Sequence, residues 1–337
     1  MKKMPFKPEL FIKTLLSNVP ARSREILERR YGIGKTGKKE TLEAIGKDHK
    51  ITRERVRQIE NHALGKIRDA LNAPEIKAAF EFLENAVREE GTLVGEDAFL
   101  DDVTEKSSQK NDVLFLLALG KQFAYIREDD AFHARWATDD TGRKTIETAL
   151  INFSKNLHDH PLSEKDAYAR FCQHLGKEFP PATLTSWLAI SKRIAKNPFG
   201  EWGPADSAHI RPRGIRDLAY LFMRKHGSPL HFREVADGIK STLNHPAHHQ
   251  TVHNELIKDN RFVLVGRGLY ALTEWGYQPG IVRNVIQAVI KKHGALSRAE
   301  LVKHVLKERH VKENTIVINL QNRKYFQKLP NDKYSLV

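Results

Sequence analysis

Four polar side chains with complementary hydrogen-bonding groups lie close together between residues 53 and 58. Arg53 and Arg57 carry guanidinium groups, Glu54 a carboxylate and Gln58 a primary amide. An arginine can donate two hydrogen bonds to guanine, a glutamine can pair with adenine, and a carboxylate can accept from the cytosine amino group. On a helix, this spacing places the four side chains within about one and a half turns. The set therefore predicts a segment that reads the base edges of a nucleic acid.

Two predicted helices position these side chains. Thr41 is suited to cap a first helix, whose inner side carries Leu42 and Ile45. The segment from Gly46 to Ile51 is predicted to form a turn, and Thr52 to cap the second helix. Apolar residues recur at helical spacing along that second helix, at Val56, Ile59, Ala63 and Ile67. A helix-turn-helix of this kind places the N-terminal end of its second helix against base edges in the major groove.

Residues 52–60, TRERVRQIE, and the upstream residues 19–34, VPARSREILERRYGIG, closely resemble region 4 of the primary bacterial sigma factors. The agreement includes residue types as well as the apolar spacing. The resemblance implies that this segment binds the minus-35 promoter element and the flap of the RNA polymerase beta subunit. It also implies that the Leu27 to Tyr31 end of the opening helix lies toward the flap.

The polar residues of this segment are assigned to two kinds of DNA contact. The predicted base-reading residues are Arg53, Glu54, Arg57 and Gln58. The predicted phosphate contacts are Arg22, Lys35, Lys38, Lys39, Thr52 and Arg55. The alternative interpretation is that Arg53 to Arg57 is a solvated charged face without a ligand.

The chain also departs from the sigma factor pattern. A sigma factor that opens promoters has, upstream of this region, an aromatic-rich helix that captures and melts the minus-10 element. The residues before Thr41 are too few for such a helix. We therefore expect that the chain is not a complete sigma factor and does not open promoters by itself.

Residues 32–39, GIGKTGKK, offer a competing interpretation as a nucleotide-binding loop. They have the Gly and Lys spacing of a P-loop, but Lys39 stands where Ser or Thr would hold magnesium. A P-loop also joins a buried strand to a helix, whereas this segment joins two predicted helices. Contact of Lys35, Lys38 and Lys39 with DNA phosphates is the favoured interpretation.

The charge of the chain changes along its length. Its 337 residues carry a formal net charge of +14, which favours a polyanionic partner. Residues 1–72 have 18 Lys and Arg against 9 Asp and Glu, whereas residues 73–140 have 7 against 16. We expect the acidic segment to contact basic protein surface, because it would repel DNA phosphates. The single cysteine, Cys172, favours a reducing compartment, and no apolar run reaches membrane-spanning length.

Beyond residue 73 one pattern recurs four times. Each copy starts with an apolar-periodic helix and ends in a hairpin-like segment that contains aromatic residues. A leucine follows the turn in each copy, at Leu93, Leu162, Leu230 and Leu296. Three short helices followed by a two-stranded hairpin is the winged-helix plan. The second copy has the weakest pattern, and its wing is predicted to be vestigial.

The third copy, residues 214–276, contains PLHFREVADGI and TVHNELIKDNRFVLVGRGLYALTEW. It resembles the HARE helix-turn-helix domain, a winged helix found in the delta subunit of Gram-positive RNA polymerase. Gly266 and Gly268 are expected to form the tight turn of its wing. The wings and helices of the last two copies present candidate DNA contacts at Lys258, Arg261, Arg267, Lys312, Arg323 and Lys324.

The predicted fold is mainly α, with an N-terminal helix-turn-helix followed by tandem winged-helix (α+β) units. The predicted domains are a sigma region 4-like domain (1–72), an acidic unit (73–140), a degenerate unit (141–210), a HARE-type winged helix (211–277) and a basic unit (278–337).

The densest histidine cluster comprises His245, His248, His249 and His253. His249 and His253 have the i, i+4 spacing that can hold a metal ion on one helix face. Glu255 is near, but neither a carboxylate nor a cysteine accompanies the cluster at the right spacing. Capping and packing roles are therefore favoured, and we predict no metal, cofactor or catalytic residue.

Three functions are compatible with these features. The favoured one is a non-enzymatic bacterial transcription regulator that binds double-stranded promoter DNA and core RNA polymerase in the cytoplasm, at the nucleoid, without a membrane or small-molecule substrate. The second is a polymerase-associated modulator that competes with a sigma factor for the beta flap without reading sequence. The third, a fragment of a DNA-processing enzyme, lacks a nuclease-like set of carboxylates and lysines.

Overall fold

A computed structural model describes residues 3–34, 37–69, 71, 74–158, 160–277, 282–308 and 311–337. Contacts between its elements divide the chain into two compact units, Met1–Asp206 and Ser207–Val337. The described residues are mostly helical and contain small antiparallel sheets, in agreement with the predicted mainly α fold. Within the described ranges, no helix is both long and apolar enough to cross a membrane.

The chain begins with four helices: α1 (Pro8–Ser17), α2 (Ala21–Tyr31), α3 (Leu42–His49) and α4 (Arg53–Asp69). The two predicted caps are confirmed. Thr41 Oγ1 accepts a hydrogen bond from the Ala44 amide at 3.1 Å, and Thr52 Oγ1 accepts one from the Arg55 amide at 3.2 Å. Each cap satisfies an amide that has no partner in the first helical turn. α3 and α4 form the predicted helix-turn-helix.

The turn between α3 and α4 is shorter than predicted. Gly46 lies inside α3, and the chain reverses at Lys50, whose φ of 53° is left-handed. The prediction that the turn begins at Gly46 is therefore wrong. The glycine instead allows close packing, because a Cβ at this position would lie 2.8 Å from the Ile51 carbonyl oxygen.

A small apolar core joins the helices around this turn. Ile26 of α2, Ile45 of α3 and Val56 of α4 are fully buried against one another. Arg29 adds a polar connection, because its guanidinium donates to the Glu40 carboxylate at 2.6 and 2.9 Å and also pairs with Asp48. The two preceding helices thus set the position of the first turns of α4.

After α4, one order of elements recurs: a helix, a strand, two helices and two strands. The first repeat (74–137) contains α5 (Pro74–Glu89), β1 (Leu93–Gly95), α6 (Glu96–Val103), α7 (Lys110–Leu119), β2 (Ala124–Ile126) and β3 (Arg135–Ala137). The second repeat (140–204) contains α8 (Asp140–Lys155), α9 (Glu164–Leu175), α10 (Pro181–Ile190), β4 (Ile194–Lys196) and β5 (Trp202–Pro204). In the second repeat, an isolated bridge at Leu162 takes the place of the first strand.

The same order continues in the second unit. The third repeat (215–272) contains α11 (Ile215–His226), β6 (Leu230–His231), α12 (Phe232–Leu243), α13 (His249–Lys258), β7 (Phe262–Gly266) and β8 (Leu269–Leu272). The fourth repeat (282–336) contains α14 (Val282–His293), β9 (Leu296–Ser297), α15 (Arg298–Glu308), α16 (Glu313–Leu320), β10 (Phe326–Lys328) and β11 (Lys333–Leu336). Short 3-10 turns lie at Ser107–Gln109 and Thr273–Trp275.

The repeats share one strand arrangement, in which the last strand lies in the middle. The strand orders are β1-β3-β2, β6-β8-β7 and β9-β11-β10, and β4 pairs with β5. Each recurrent leucine lies opposite a residue of the last strand: Leu93 opposite Ala137, Leu162 opposite Trp202, Leu230 opposite Tyr270 and Leu296 opposite Tyr334. The regular leucine spacing therefore reflects equivalent positions in four small sheets.

The apolar cores do not all follow the repeats. One core extends from Met4 to Trp136 and joins α1, the C-terminal half of α4 and the first repeat. Another core combines Leu93 and Phe132 of the first repeat with the second repeat. The predicted boundaries after residues 72 and 140 thus fall within shared cores. The third and fourth repeats each have a core of their own.

Candidate nucleic-acid interface

The first turns of α4 carry the predicted reading face. Arg53, Glu54, Arg57 and Gln58 are all exposed, whereas Val56 on the opposite side is fully buried. The buried side continues along the helix with Ala63 and Ile67, as the apolar spacing predicts. One side of α4 is therefore fixed in the core, and the other side presents four hydrogen-bonding groups to solvent.

Three of these side chains, Glu54, Arg57 and Gln58, have hydrogen-bond partners within α4. The Arg57 guanidinium donates to both oxygens of Glu54 at 2.6 and 2.9 Å, and holds the pKa of the Glu54 carboxyl below its usual value. Arg55 Nη1 donates to Gln58 Oε1 at 3.0 Å. Exposed pairs of this kind are weak, because water competes for both partners. Each side chain can therefore leave its partner on α4 and form a hydrogen bond with a base edge instead.

The predicted phosphate contacts are exposed where the structure describes them. Arg22 is exposed in the first turn of α2, and Lys38 and Lys39 are exposed between α2 and α3. Thr52 caps α4, and Arg55 is exposed in its first turn. Lys35 lies outside the described residues.

The segment after α2 is held by a residue that the sequence analysis missed. Asn111 Nδ2 of α7 donates to the carbonyl oxygens of Gly32 and Gly37, both at 3.0 Å. Gly32 has a left-handed φ of 65° and ends α2. Asn111 of the first repeat thus holds the backbone of this segment at Gly32 and Gly37. No local signal in the sequence indicates this contact, because it joins residues far apart in the chain.

The end of α2 predicted to lie toward the flap is covered by α7. Leu27 is fully buried, and the Tyr31 ring packs edge to face on Phe115 with centroids 5.0 Å apart. Arg68 of α4 donates to the carbonyl oxygens of Ala118 and Leu119, at 3.1 and 3.2 Å, at the C-terminal end of α7. In this fold, α7 therefore covers the surface that the resemblance assigns to the flap.

A buried carboxylate lies beside this contact. Glu60 of α4 is 8% exposed and lies 3.7 Å from the Arg30 guanidinium. Burial, with a contribution from Glu60, raises the pKa of the Tyr31 hydroxyl. Glu60 and Tyr31 are therefore part of the packing between α2 and α4.

In the second unit, most of the predicted contacts are exposed, and Arg261 differs. The exposed residues are Lys258, Arg267, Lys312, Arg323 and Lys324. Arg261 instead donates to Asp217 at 2.8 Å and to Asp259 at 2.7 Å, and lies over the Tyr220 ring. Its guanidinium therefore links α11 to the loop before β7, and we correct its assignment from DNA contact to structural residue.

The turn between β7 and β8 also differs in part from prediction. Gly268 has a left-handed φ of 71°, whereas Gly266 belongs to β7 and pairs with Leu269 next to a bulge. One glycine, rather than two, therefore supplies the unusual backbone conformation of this turn.

The clustered histidines take separate roles. His249 Nε2 lies 3.0 Å from Asp237 Oδ1, and the His253 ring stacks on Phe232 with centroids 4.3 Å apart. In the part of the chain that the structure describes, no group of three or more His, Cys, Asp or Glu side chains is placed to hold a metal ion.

Comparison with known proteins places the similarity in the first part of the chain. The family model "Sigma-70, region 4" matches residues 15–69. The RNA polymerase principal sigma factor HrdD of Streptomyces coelicolor is 40% identical over 65 residues, which is 19% of each chain. The RNA polymerase sigma factor SigA1 of Synechococcus elongatus is 46% identical over 57 residues, 17% of this chain and 14% of the relative.

A third relative, the RNA polymerase sigma factor SigA of Clostridium acetobutylicum, is 38% identical over 63 residues, 19% of this chain and 16% of the relative. The chain thus spans less than a fifth of the length of these relatives. The matched segment contains α2, α3, α4 and the exposed reading face, and it ends before the first repeat. Residues 15–69 are therefore similar to region 4 of the sigma-70 factors.

Proposed function

We propose that this chain is a non-enzymatic, DNA-binding transcription factor whose helix α4 reads a minus-35-like promoter element. The observation that carries the proposal is the exposure of Arg53, Glu54, Arg57 and Gln58 on one face of α4, opposite its buried side. These are the side-chain types that discriminate base pairs in the major groove. The N-terminal position on the second helix of a helix-turn-helix is the one that reaches the bases.

The charge around α4 supports duplex DNA as the partner. Residues 1–72 carry a net charge of +9, from 18 basic and 9 acidic side chains. Arg22, Lys38 and Lys39 are exposed, so they are available to phosphates, which fix the register of a protein on DNA. Because the side-chain hydrogen bonds of Arg55 and Arg57 stay within α4, binding would not have to break contacts with the acidic first repeat.

We further propose that the repeats are winged-helix units, the third of the HARE type. The recurring order of helices and strands, with the last strand central, supports this assignment. The resemblance of residues 15–69 to polymerase sigma factors supports a role at bacterial RNA polymerase, on nucleoid DNA. A winged-helix array would then extend the contact beyond the promoter element.

The alternative function, competition with a sigma factor for the beta flap, has less support. Leu27 is buried, and Tyr31 packs against Phe115 of α7, so a flap segment could reach this surface only after α7 leaves it. The reading face of α4 needs no such rearrangement. We therefore favour DNA reading as the primary activity.

Selection of binding sites from random duplexes by the full chain tests this function. We expect a sequence related to a minus-35 element to be enriched, and Arg53→Ala with Gln58→Ala to abolish that enrichment. Enrichment of the same element by this double variant would contradict the assignment of α4 as the reader.

A further inference from the structure

The third helix of each repeat has one of two environments. In α7, most side chains are buried, and the helix packs on α1, α2 and α4. In α10, Trp187 is fully buried and its indole Nε1 donates to the Leu93 carbonyl oxygen of the first repeat at 3.1 Å. The third helices of the first two repeats are therefore used for packing inside the first unit.

The corresponding helix of the third repeat, α13, has an open polar face. Val252 and Leu256 are buried in the core of the repeat. The residues exposed on its outer side are Gln250, Thr251, Asn254, Ile257 and Lys258. They follow the i, i+4, i+7 spacing of one helix face. Glu255 lies off this face, is partly buried and approaches Lys258 at 4.0 Å.

Helix α16 of the fourth repeat has a matching face. Ile316 and Leu320 are buried with the same spacing as Val252 and Leu256 on α13. The exposed residues of α16 and its C-terminal end are Glu313, Asn314, Thr315, Ile318, Gln321 and Asn322, and Glu313 pairs with Arg298 at 3.4 Å. Two repeats thus present amides, a threonine and one isoleucine on an exposed helix face, whereas α7 of the first repeat has mostly buried side chains.

The chemistry of these faces suits A·T base pairs. Gln and Asn amides can pair with the adenine N6 and N7 positions, and an aliphatic side chain can contact the thymine methyl group. Gln250 Nε2 donates to Asn254 Oδ1 at 3.1 Å, which orients the two amides together. Ile257 is 63% exposed and Ile318 is 58% exposed, each as a single large apolar residue on its face.

A ring stack holds the β7–β8 turn beside α13. His231, Phe232 and His253 stack in sequence, with centroids 4.5 and 4.3 Å apart. Gly268 fits against this stack, because a Cβ there would lie 2.5 Å from His231 Nε2. The stack thus connects α13 to the turn that carries the exposed Arg267, so a positive charge accompanies the amide face.

We propose that α13 and α16 are two further DNA-reading helices, which bind A·T base pairs through Gln250, Asn254, Ile257, Asn314 and Ile318. This inference goes beyond the function proposed for α4 and is independent of it. Residues 211–337 carry 22 basic and 10 acidic side chains, which favours a polyanion over a basic or neutral protein partner. The two isoleucines are isolated, whereas a protein-docking surface usually has a contiguous apolar patch.

The test uses the full chain with Arg53→Ala and Gln58→Ala, so that α4 no longer selects sequence. We expect this chain to enrich, from random duplexes, sites in which A·T base pairs are required at particular positions. Adding Gln250→Ala and Asn254→Ala should lower the affinity for the enriched duplex by about 5- to 100-fold. Thr242→Ala, an exposed polar position on α12, is the matched control and should leave the affinity unchanged.

A second pair of variants gives a change of specificity instead of a loss. Gln250→Glu keeps the side-chain shape but removes the amide donor, so the preferred base at its contact should shift from adenine to cytosine. Asn314→Ala with Ile318→Ala should remove a separate part of the selected site. Circular dichroism and thermal melting confirm that each variant keeps the fold.

The inference is overturned if the chain with α4 disabled enriches no A·T-containing site, or if the enriched site is unchanged by the α13 and α16 variants. Either result would assign these faces to protein contacts. Neither result would bear on the function proposed for α4, because that function is tested by the chain with intact α13 and α16.

Discussion

Phe115 of α7 packs edge to face on Tyr31 of α2, with ring centroids 5.0 Å apart. This contact joins the basic helix-turn-helix segment to the acidic first repeat. It is reinforced at one end of α7 by Asn111, which binds the loop after α2, and at the other end by Arg68 of α4. Because the two parts share one apolar core, we expect them to fold and unfold as one unit.

The first prediction concerns this shared core. Phe115→Ala removes a fully buried ring, and we expect it to lower the free energy of unfolding by about 3–5 kcal/mol. Urea denaturation with hydrogen exchange along α2 and α4 measures the effect, and Leu10→Ala, at an exposed position of α1, is the control. Unchanged exchange protection in α4 would show that the two parts are independent.

The second prediction concerns the pH dependence of stability. Asp112 of α7 is buried, and burial, with a contribution from Glu9, raises its pKa from 3.8 to about 6. Between these values the folded chain keeps the proton and the unfolded chain loses it. Stability therefore falls as the pH rises from about 4 to about 6, and the loss persists at higher pH.

Asp112→Asn removes the ionisable group and should therefore remove this decline. We expect the variant to be more stable than the original chain at pH 8, by up to about 3 kcal/mol, and to differ less at pH 4. Denaturation midpoints at both pH values provide the measurement. Asp102→Asn, at an exposed position of α6, should leave the pH dependence as it is. Parallel curves for the original chain and Asp112→Asn would refute the prediction.

The third prediction concerns base reading by α4. Arg53→Ala and Gln58→Ala should each weaken binding to the selected duplex by about 1–3 kcal/mol and hardly change binding to random DNA. Fluorescence titration of the full chain with both duplexes gives the two affinities. An equal loss on the two duplexes would mean that these side chains contact only the backbone.

The fourth prediction concerns phosphate contacts. Arg22→Ala and Lys38→Ala should weaken binding to all duplexes alike. Each should also reduce the slope of log affinity against log salt concentration by about one. Titrations at several salt concentrations measure this slope. Arg261→Ala is a useful contrast, because its guanidinium is bound to Asp217 and Asp259, and we expect lower stability with the salt slope retained. A changed slope for Arg261→Ala would restore it as a DNA contact.

The sequence by itself predicted the local parts of this protein. The caps at Thr41 and Thr52, the buried side of α4 and the exposed set from Arg53 to Gln58 follow from residue types and helical spacing. These features depend on neighbours within a few residues, so a local pattern is enough to specify them. The four recurrent leucines likewise marked the repeat, but the sequence did not predict that they pair with the last strand of each sheet.

The sequence contains one further signal of tertiary packing. Residues 113–119, VLFLLAL, are apolar on every side, and a helix of that kind is buried on all sides. This pattern predicts that α7 contacts more than its own repeat. It does not specify the partner surface, since α2 and α4 are not neighbours of α7 in the chain.

The tertiary structure alone decided which surfaces remain open. It placed α7 over Tyr31, directed Arg261 to Asp217 and Asp259, and left the polar faces of α13 and α16 exposed. Each outcome depends on contacts between residues distant in sequence. Local spacing shows which side of a helix is apolar or charged, but only the packing of the whole unit determines what covers it.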